Sequence, residues 1–478
     1  MPLSRERLVP LIVAVALFME NMDSTVIATA LPAIAADIGT NPLALKLAVT
    51  SYLLALAVFI PISGWMADRF GARTIFSSAI VVFVLGSVGC AFAGALWHFV
   101  LARFIQGMGG AMMTPVGRLV LVRTVDKSKL VDAMALVTMP ALIGPLIGPP
   151  LGGAITTYAS WPWIFIINVP IGVLGFFMVR RYVENVRAEA PDPFDFIGMT
   201  LVAVAVTGLA FGLSVLGLGF LPRPLVLALI ALGAAAAVAY VLYARRTPTA
   251  VIDLTLFRLP TFRAGVAGGF VFRIGAGALP FLLPLLLQLG LGMTPFQSGL
   301  ITFSTAIGAI TMKAIAARIL RRFGFPRTLT VNALLAAATL GACATFGPGT
   351  PIWVMVAVLL VGGLFRSLQF TSMNTIAFAE LESRRMSHAT SLASVSQQLA
   401  ISTGVAVGAL AVEAVLGFQH HPTLSAPDFP PAFVIVACIA AASALFFAWL
   451  PADAGKELTV RSHDSPPEAE KPACQRDA

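Results

Sequence analysis

Glu20, Asn21 and Asp23 stand inside an apolar run that extends from Leu8 to about Leu31. If that run crosses a membrane, two carboxylates and an amide occupy a depth where hydrocarbon is the rule. A charged side chain at the centre of a membrane helix costs about 2.5–3.5 kcal/mol on insertion scales, and residues that carry this cost commonly mark ion or proton pathways. Glu20 and Asp23 are three residues apart, so a helix presents both on one face. That face must meet protein or a water-filled cavity rather than lipid. An acid held between the cost of burying charge and the attraction of a nearby cation can bind and release a proton. The pair, and chiefly Asp23, therefore reads as a proton-coupling site. The alternative is a buried carboxyl that only joins helices through a hydrogen bond.

Three further stretches carry chemistry. Leu101-Ala102-Arg103-Phe104-Ile105-Gln106-Gly107 opens another apolar run, with Arg103 well inside it. An unpaired guanidinium there is untenable; Asp23 or Glu20 is a natural partner, and snorkelling to the nearer interface is the alternative. Gly64-Trp65-Met66-Ala67-Asp68-Arg69-Phe70-Gly71-Ala72-Arg73 lies between two apolar runs. Gly64 would permit close helix approach and Gly71 a tight turn. Asp68, with Arg69 and Arg73 beside it, could cap a helix or bridge to an arginine on a neighbour. A contact made in one conformation and broken in another would be a latch; the plainer reading is a basic turn. Finally, Gly144-Pro145-Leu146-Ile147-Gly148-Pro149-Pro150-Leu151-Gly152-Gly153 repeats glycine every four residues. Such a face lets helices approach closely. The prolines remove backbone donors and bend a helix, which fits a pliable gating helix better than generic packing.

The elements that must position these residues are membrane helices. The chain has 478 residues, of which 58% are hydrophobic and 11% charged, with a mean hydropathy of +0.91. A soluble domain is about 25% charged. At about 20 apolar residues per crossing, fourteen spans are expected near 8–31, 43–62, 75–95, 98–121, 132–157, 162–181, 196–218, 223–244, 264–290, 297–317, 328–347, 351–373, 389–417 and 431–450. Alternate loops hold Arg69/Arg73, Arg123/Lys127/Lys129, Arg180/Arg181/Arg187, Arg245/Arg246/Arg258/Arg263, Arg318/Arg321/Arg322/Arg327 and Arg384/Arg385, while the intervening loops offer only Lys46 and Arg223. That asymmetry predicts a multi-pass protein of the cell (cytoplasmic) membrane with both termini in the cytoplasm. It also accounts for the net charge of +9 without nucleic acid. Cys90, Cys343, Cys438 and Cys474 form no paired spacing, so neither a disulfide framework nor a zinc site is expected. Arg5-Glu6-Arg7 before an apolar run imitates a secretory signal, but the two acids and the length of the run argue for a retained first span.

Asp68-Arg69-Phe70-Gly71-Ala72-Arg73 after the second span is echoed by Arg321-Arg322-Phe323-Gly324-Phe325-Pro326-Arg327 after the tenth. Spans 1–6 and 9–14 thus read as two copies of one block, the build of the major facilitator fold, with substrate held between the halves. The expected fold is all-α: a six-helix bundle over 1–187, a linker and two inserted helices over 188–260, a second six-helix bundle over 261–452 and a polar cytoplasmic tail over 453–478. The linker centres on Ala188 to Phe196, with Pro191 and Pro193.

Asp23-Ser24-Thr25 through Ala30-Leu31-Pro32, the Gly64–Arg73 loop, Arg103–Gly107 and Gly144–Gly153 resemble four signature motifs of major facilitator drug:proton antiporters. The first of these, with Trp161-Pro162-Trp163 through Asn168-Val169-Pro170, is similar to the fourteen-span EmrB/QacA branch, and Arg273-Ile274-Gly275 and Ser372-Met373-Asn374-Thr375 resemble its MdtD-like subgroup. The motifs cover most of spans 1–6, and the likeness extends more weakly to span 14. The resemblance implies proton coupling at Asp23, conformational locking at Asp68 and proton transfer at Arg103.

The C-terminal half is less telling. Arg273 and Arg366 are intramembrane cations that could meet an anionic substrate or pair with an acid. Glu413 stands alone in span 13, where similar exporters carry acids linked to cationic drugs. Asn21, Gln106 and Asn374 could line a substrate cavity with these three, and Gln397/Gln398 could do so or only join helices. His420-His421 reads as a solvated loop pair. The methionines and Phe270/Phe272 read mostly as core, although adaptable methionine surfaces suit promiscuous binding.

Together these readings predict alternating access, in which Asp23, with Glu20, takes a proton from outside and its release inside drives export of a small organic or amphipathic molecule. The expected partners are that substrate, protons and the lipid bilayer, with no nucleic acid. The protein is expected to be a monomer with no cofactor or metal beyond the proton as coupling ion. A facilitator exporting an anionic metabolite or metal–carboxylate chelate through Arg273 and Arg366 is the rival. An intramembrane enzyme would need HExxH, GxSxG or paired metal ligands, none of which occurs within the spans. A sensor would need a larger soluble domain than the tail. No Walker motif supports direct ATP drive.

Overall fold

The computed structural model describes residues 5–125, 130–187, 194–247, 250–381, 385–419 and 424–458. Among them there is no strand, and fourteen helices have fifteen residues or more. They are α1 (Arg5–Val26), α2 (Lys46–Phe70), α3 (Ala72–Ala91), α4 (Leu96–Thr124), α5 (Leu130–Tyr158), α6 (Asn168–Tyr182), α7 (Phe196–Val215), α8 (Arg223–Ala244), α9 (Gly269–Leu285), α10 (Pro295–Phe323), α11 (Phe325–Ala342), α12 (Ile352–Ala377), α13 (Met386–Gln419) and α14 (Pro430–Ala448). Twelve helical segments are long and apolar enough to cross a membrane by length and composition. The two long helices outside that set, α4 and α5, have 29 residues each. The chain is an all-α, multi-pass membrane protein.

Successive long helices run in opposite senses, so the start of α1 and the end of α14 share one face, here called the terminal face. Within the first six helices α1 packs on α5, and α4 on both α2 and α3; within the last six α9 packs on α13, α10 on α12 and α11 on α14. The extra pair α7 and α8 pack on each other, and α7 also lies against α2 and α13. Asp195 anchors this insert: its carboxylate accepts from the backbone N–H of Gly198 at the start of α7, from the Tyr243 hydroxyl of α8 and from the N–H of Val251.

The two motif echoes are built alike. Gly71, at φ +96°, ends α2 and begins α3, and Gly324, at φ +72°, does the same between α10 and α11. An L side chain rarely adopts that backbone. The second span is longer than its expected end at 62, because no residue before Gly71 breaks the helix. The Gly64–Phe70 stretch is therefore helical rather than loop. This corrects the reading of Gly64, since a Cβ there would meet nothing within 4 Å and no neighbouring helix approaches it. Residues 188–193 of the linker, residues 459–478 of the tail, Cys474 and His420-His421 lie outside the described residues.

Replacing Gly71 by alanine forces an unfavourable φ and drives a Cβ into the Asn185 side chain, at a cost of about 1–3 kcal/mol. Thermal unfolding of the detergent-purified protein should show a lower midpoint for Gly71→Ala and none for Gly64→Ala.

Candidate functional site

Asp23, Arg103, Gln106 and Asn168 are each no more than 1% exposed. Arg103 Nη1 donates to Asp23 Oδ2 at 2.7 Å and to Gln106 Oε1 at 2.6 Å. Gln106 Nε2 and Asn168 Nδ2 each donate to Asp23 Oδ1 at 2.8 Å. The same two amides donate to Ser87 Oγ, at 2.7 and 3.1 Å. The guanidinium carbon also lies 4.2 Å from the centroid of the Tyr52 ring, a cation–π contact that strengthens when desolvated. Residues from α1, α2, α3, α4 and α6 thus converge on one carboxylate. Small residues allow the convergence: a Cβ on Gly86 would strike the Gln106 backbone, and one on Gly107 the Tyr52 carbonyl.

Asp23 and Glu20 both project from α1 toward α4, as their spacing had suggested, but they meet different surroundings. Asp23 turns into the bundle core, whereas Glu20 is half-buried on the wall of a cavity of about 710 Å³, within the usual range for small-molecule sites. Glu20 Oε2 accepts from Asn21 Nδ2 at 3.0 Å and Thr114 Oγ1 at 3.3 Å. Asn21, Tyr52, Pro145 and Pro149 line the cavity beside it. The last six helices contribute Arg273, Arg366, Asn374, Gln397 and Gln398. Arg273 Nη2 donates to Asn374 Oδ1 at 2.6 Å, and its guanidinium lies 5.9 Å from the Phe370 ring. Lys313, also on the wall, was not singled out by the sequence reading. Two residues assigned to the cavity are elsewhere. Gln106 is sealed in the Asp23 network, because three residues after Arg103 a helix returns it to the same buried side. Glu413 pairs instead with Lys46 at 2.8 Å, so it does not stand alone.

The glycine-rich helix explains how the halves meet. On α5, Gly144, Gly148 and Gly152 pack against the α1 backbone and Thr25. Gly153 packs on Pro295 and Phe296 of α10, and in return Gly299 of α10 packs on Pro149 and Pro150. The helix therefore touches both sets of six, at the face remote from the termini. Every hydrogen bond between those sets among the described residues lies at that end: Gln288 to the Thr29 carbonyl at 2.9 Å, the Phe296 N–H to Thr157 Oγ1 at 3.1 Å, and Lys46 to Glu413. These contacts hold the two sets of helices against each other at that end. Near the terminal face Asp68 Oδ1 accepts from Arg123 Nη2 at 2.6 Å. Arg69 lies over Trp65 at 5.8 Å, and the Arg73 carbonyl accepts from Ser77.

Sequence reasoning did not single out Asn168, Ser87 or Tyr52 as site residues, nor the Lys46–Glu413 pair. The neutral groups give no charge signal. Lys46 and Glu413 do: each is a lone charge near the end of a span on the same face.

The family model described as Major Facilitator Superfamily matches residues 13–268 and 265–474. The chain is 40% identical over 454 residues to the multidrug resistance protein MdtD of Salmonella heidelberg and to that of Escherichia coli O157:H7, covering 94% of this chain and 96% of each relative. The MdtD protein of Salmonella typhimurium is likewise 40% identical, over 458 residues.

Arg103→Gln leaves a buried carboxylate without its cation and should cost about 3–5 kcal/mol. The double variant Asp23→Asn/Arg103→Gln should recover most of that loss. Thermal unfolding midpoints of purified protein check this, with the single variant expected below the double.

Proposed function

This chain belongs to the Major Facilitator Superfamily and is a membrane transporter rather than an enzyme, and we propose that it is a proton-coupled antiporter exporting small organic or amphipathic compounds by alternating access. The names of the MdtD relatives support multidrug efflux. The excess of basic residues on the terminal face supports an inner-membrane protein with that face in the cytoplasm. In this reading the cavity, closed at the other face, receives substrate from the cytoplasmic side.

The Asp23–Arg103 contact at 2.7 Å carries the proposal. Both Asp23 oxygens face donors, and a proton on this carboxyl cancels the charge that holds Arg103, so the guanidinium is free to shift. A displaced guanidinium bears on Tyr52, the ring it faces and a wall of the cavity. Protonation in the core is thereby felt where substrate sits. Glu20, on the wall itself, gives protons a water-facing carboxylate one turn away. Each inward proton contributes ~2.3 kcal/mol per 100 mV of membrane potential, plus any pH gradient. Asp68 with Arg123 forms the latch at the terminal face, flanked by Arg69 and Arg73, and α5 is the gating helix.

One observation favours the second reading, export of an anionic metabolite or metal–carboxylate chelate. Arg273, Lys313 and Arg366 line the cavity without an ion-pair partner among the described residues, and Glu20 is the one acid on its wall.

In proteoliposomes with an imposed pH gradient, Asp23→Asn should abolish proton-coupled efflux while substrate still binds; full coupled transport by that variant refutes the assignment. Loss of anion transport in Arg273→Gln, with cationic dyes unaffected, would select the second reading.

A further inference from the structure

Lys46 and Glu413 form a largely buried ion pair that this efflux mechanism leaves unused. The Lys46 side chain is fully buried at the start of α2, and that of Glu413, near the end of α13, is 14% exposed. The ammonium lies 2.8 and 3.0 Å from the two carboxylate oxygens and 3.4 Å from the carbonyl of Leu216, in the turn between α7 and α8. One cation therefore ties the first six helices, the last six and the inserted pair. The next residue of that turn, Gly217, has φ +92°, and a Cβ there would run into Glu413 Oε2. The turn thus needs a residue without a side chain on two counts, its backbone angle and its closeness to the ion pair.

The rest of the seal at this face is neutral: glycine against proline, a glutamine on a carbonyl, an edge-on contact between the Tyr158 and Phe296 rings. A buried ion pair is a poor way to gain stability, since well-packed apolar residues often do as well or better. It differs from them in its open state. When the halves part on this face, both charges return to water and recover hydration, which an apolar contact cannot do. A pair in this position suits a contact that is broken and remade each cycle.

We propose that Lys46, Glu413 and the Leu216–Gly217 turn form a three-part clasp that holds the cavity shut at the face remote from the termini, with the α7–α8 hairpin as its third jaw. This assigns the inserted pair a role in gating. The two halves alone would leave the Lys46 ammonium with a carboxylate and no carbonyl, and the pair less shielded from water. The proposal rests on alternating access but on neither proton coupling nor any particular substrate.

The test reads access to the cavity in the full-length protein. A Thr302→Cys substitution places a thiol on the cavity wall, with Cys438→Ser and Cys474→Ser removing background. A membrane-impermeant maleimide is applied to bacterial spheroplasts and to inverted vesicles, a terminal tag identifies the faces, and the same protein with Thr302 intact supplies the baseline. Labelling from the face remote from the termini should rise about tenfold or more in Lys46→Met, Glu413→Gln and Gly217→Val, since removing one partner of a buried pair is strongly disruptive. The swapped pair Lys46→Glu/Glu413→Lys should return it toward the starting rate. An unchanged rate in either Glu413→Gln or Gly217→Val, or an equal rise from both faces, overturns the clasp. Because the assay uses no gradient or substrate, such a result leaves the efflux reading standing, whereas coupled transport by Asp23→Asn would sink that reading and leave the clasp.

Discussion

A guanidinium in the middle of a membrane bundle demands an anion, and the anion demands a cation in return. Arg103 and Asp23 meet that mutual demand at 2.7 Å, and much of the first six helices follows from it. Once paired, the remaining lone pairs of the carboxylate still need donors, because buried polar groups left unmatched are costly. Gln106 and Asn168 supply them, and Ser87 accepts from both amides in turn. The register of α1 against α3, α4 and α6 is fixed by these contacts rather than by apolar packing, which in lipid has little directional preference.

The second constraint is closeness. Lipid tails are as apolar as leucine, so helices gain by fitting rather than by fleeing water. Glycines on α5 let α1 lie backbone-close on one side while Gly153 and Gly299 do the same for α5 and α10. The cavity is the space left where that closeness stops. Its two walls differ in charge because they come from different halves: one acid from α1, three cations from α9, α10 and α12.

The architecture was readable from the sequence because a span is a long, one-dimensional signal, and the turns at Gly71 and Gly324 repeat in residue type and in backbone angle. The Asp23–Arg103 pairing was readable for a related reason, since each charge alone made no sense at its depth. The same reasoning applies to Lys46 and Glu413, but they are 367 residues apart, and each had a bland explanation as a loop residue or a lone acid. Ser87, Asn168 and Tyr52 were out of reach, because neutral polar side chains are too common in apolar runs to be conspicuous. Gly64 and Gln106 were misplaced by the opposite error. Residue type suggested a role, while the helix phase that decides which way a residue points was not followed through.

The reciprocal seam between α5 and α10 has a consequence for energy conservation. Where each helix's glycine receives the other's proline-bearing backbone, no side-chain layer is left to shift gradually. Closely packed surfaces of this kind tend to switch between discrete arrangements rather than deform. A wall that is either seated or parted offers ions no narrow continuous pore during the transition. The membrane's electrochemical reserve is then drawn down only in completed cycles, which is what separates a carrier from a leak.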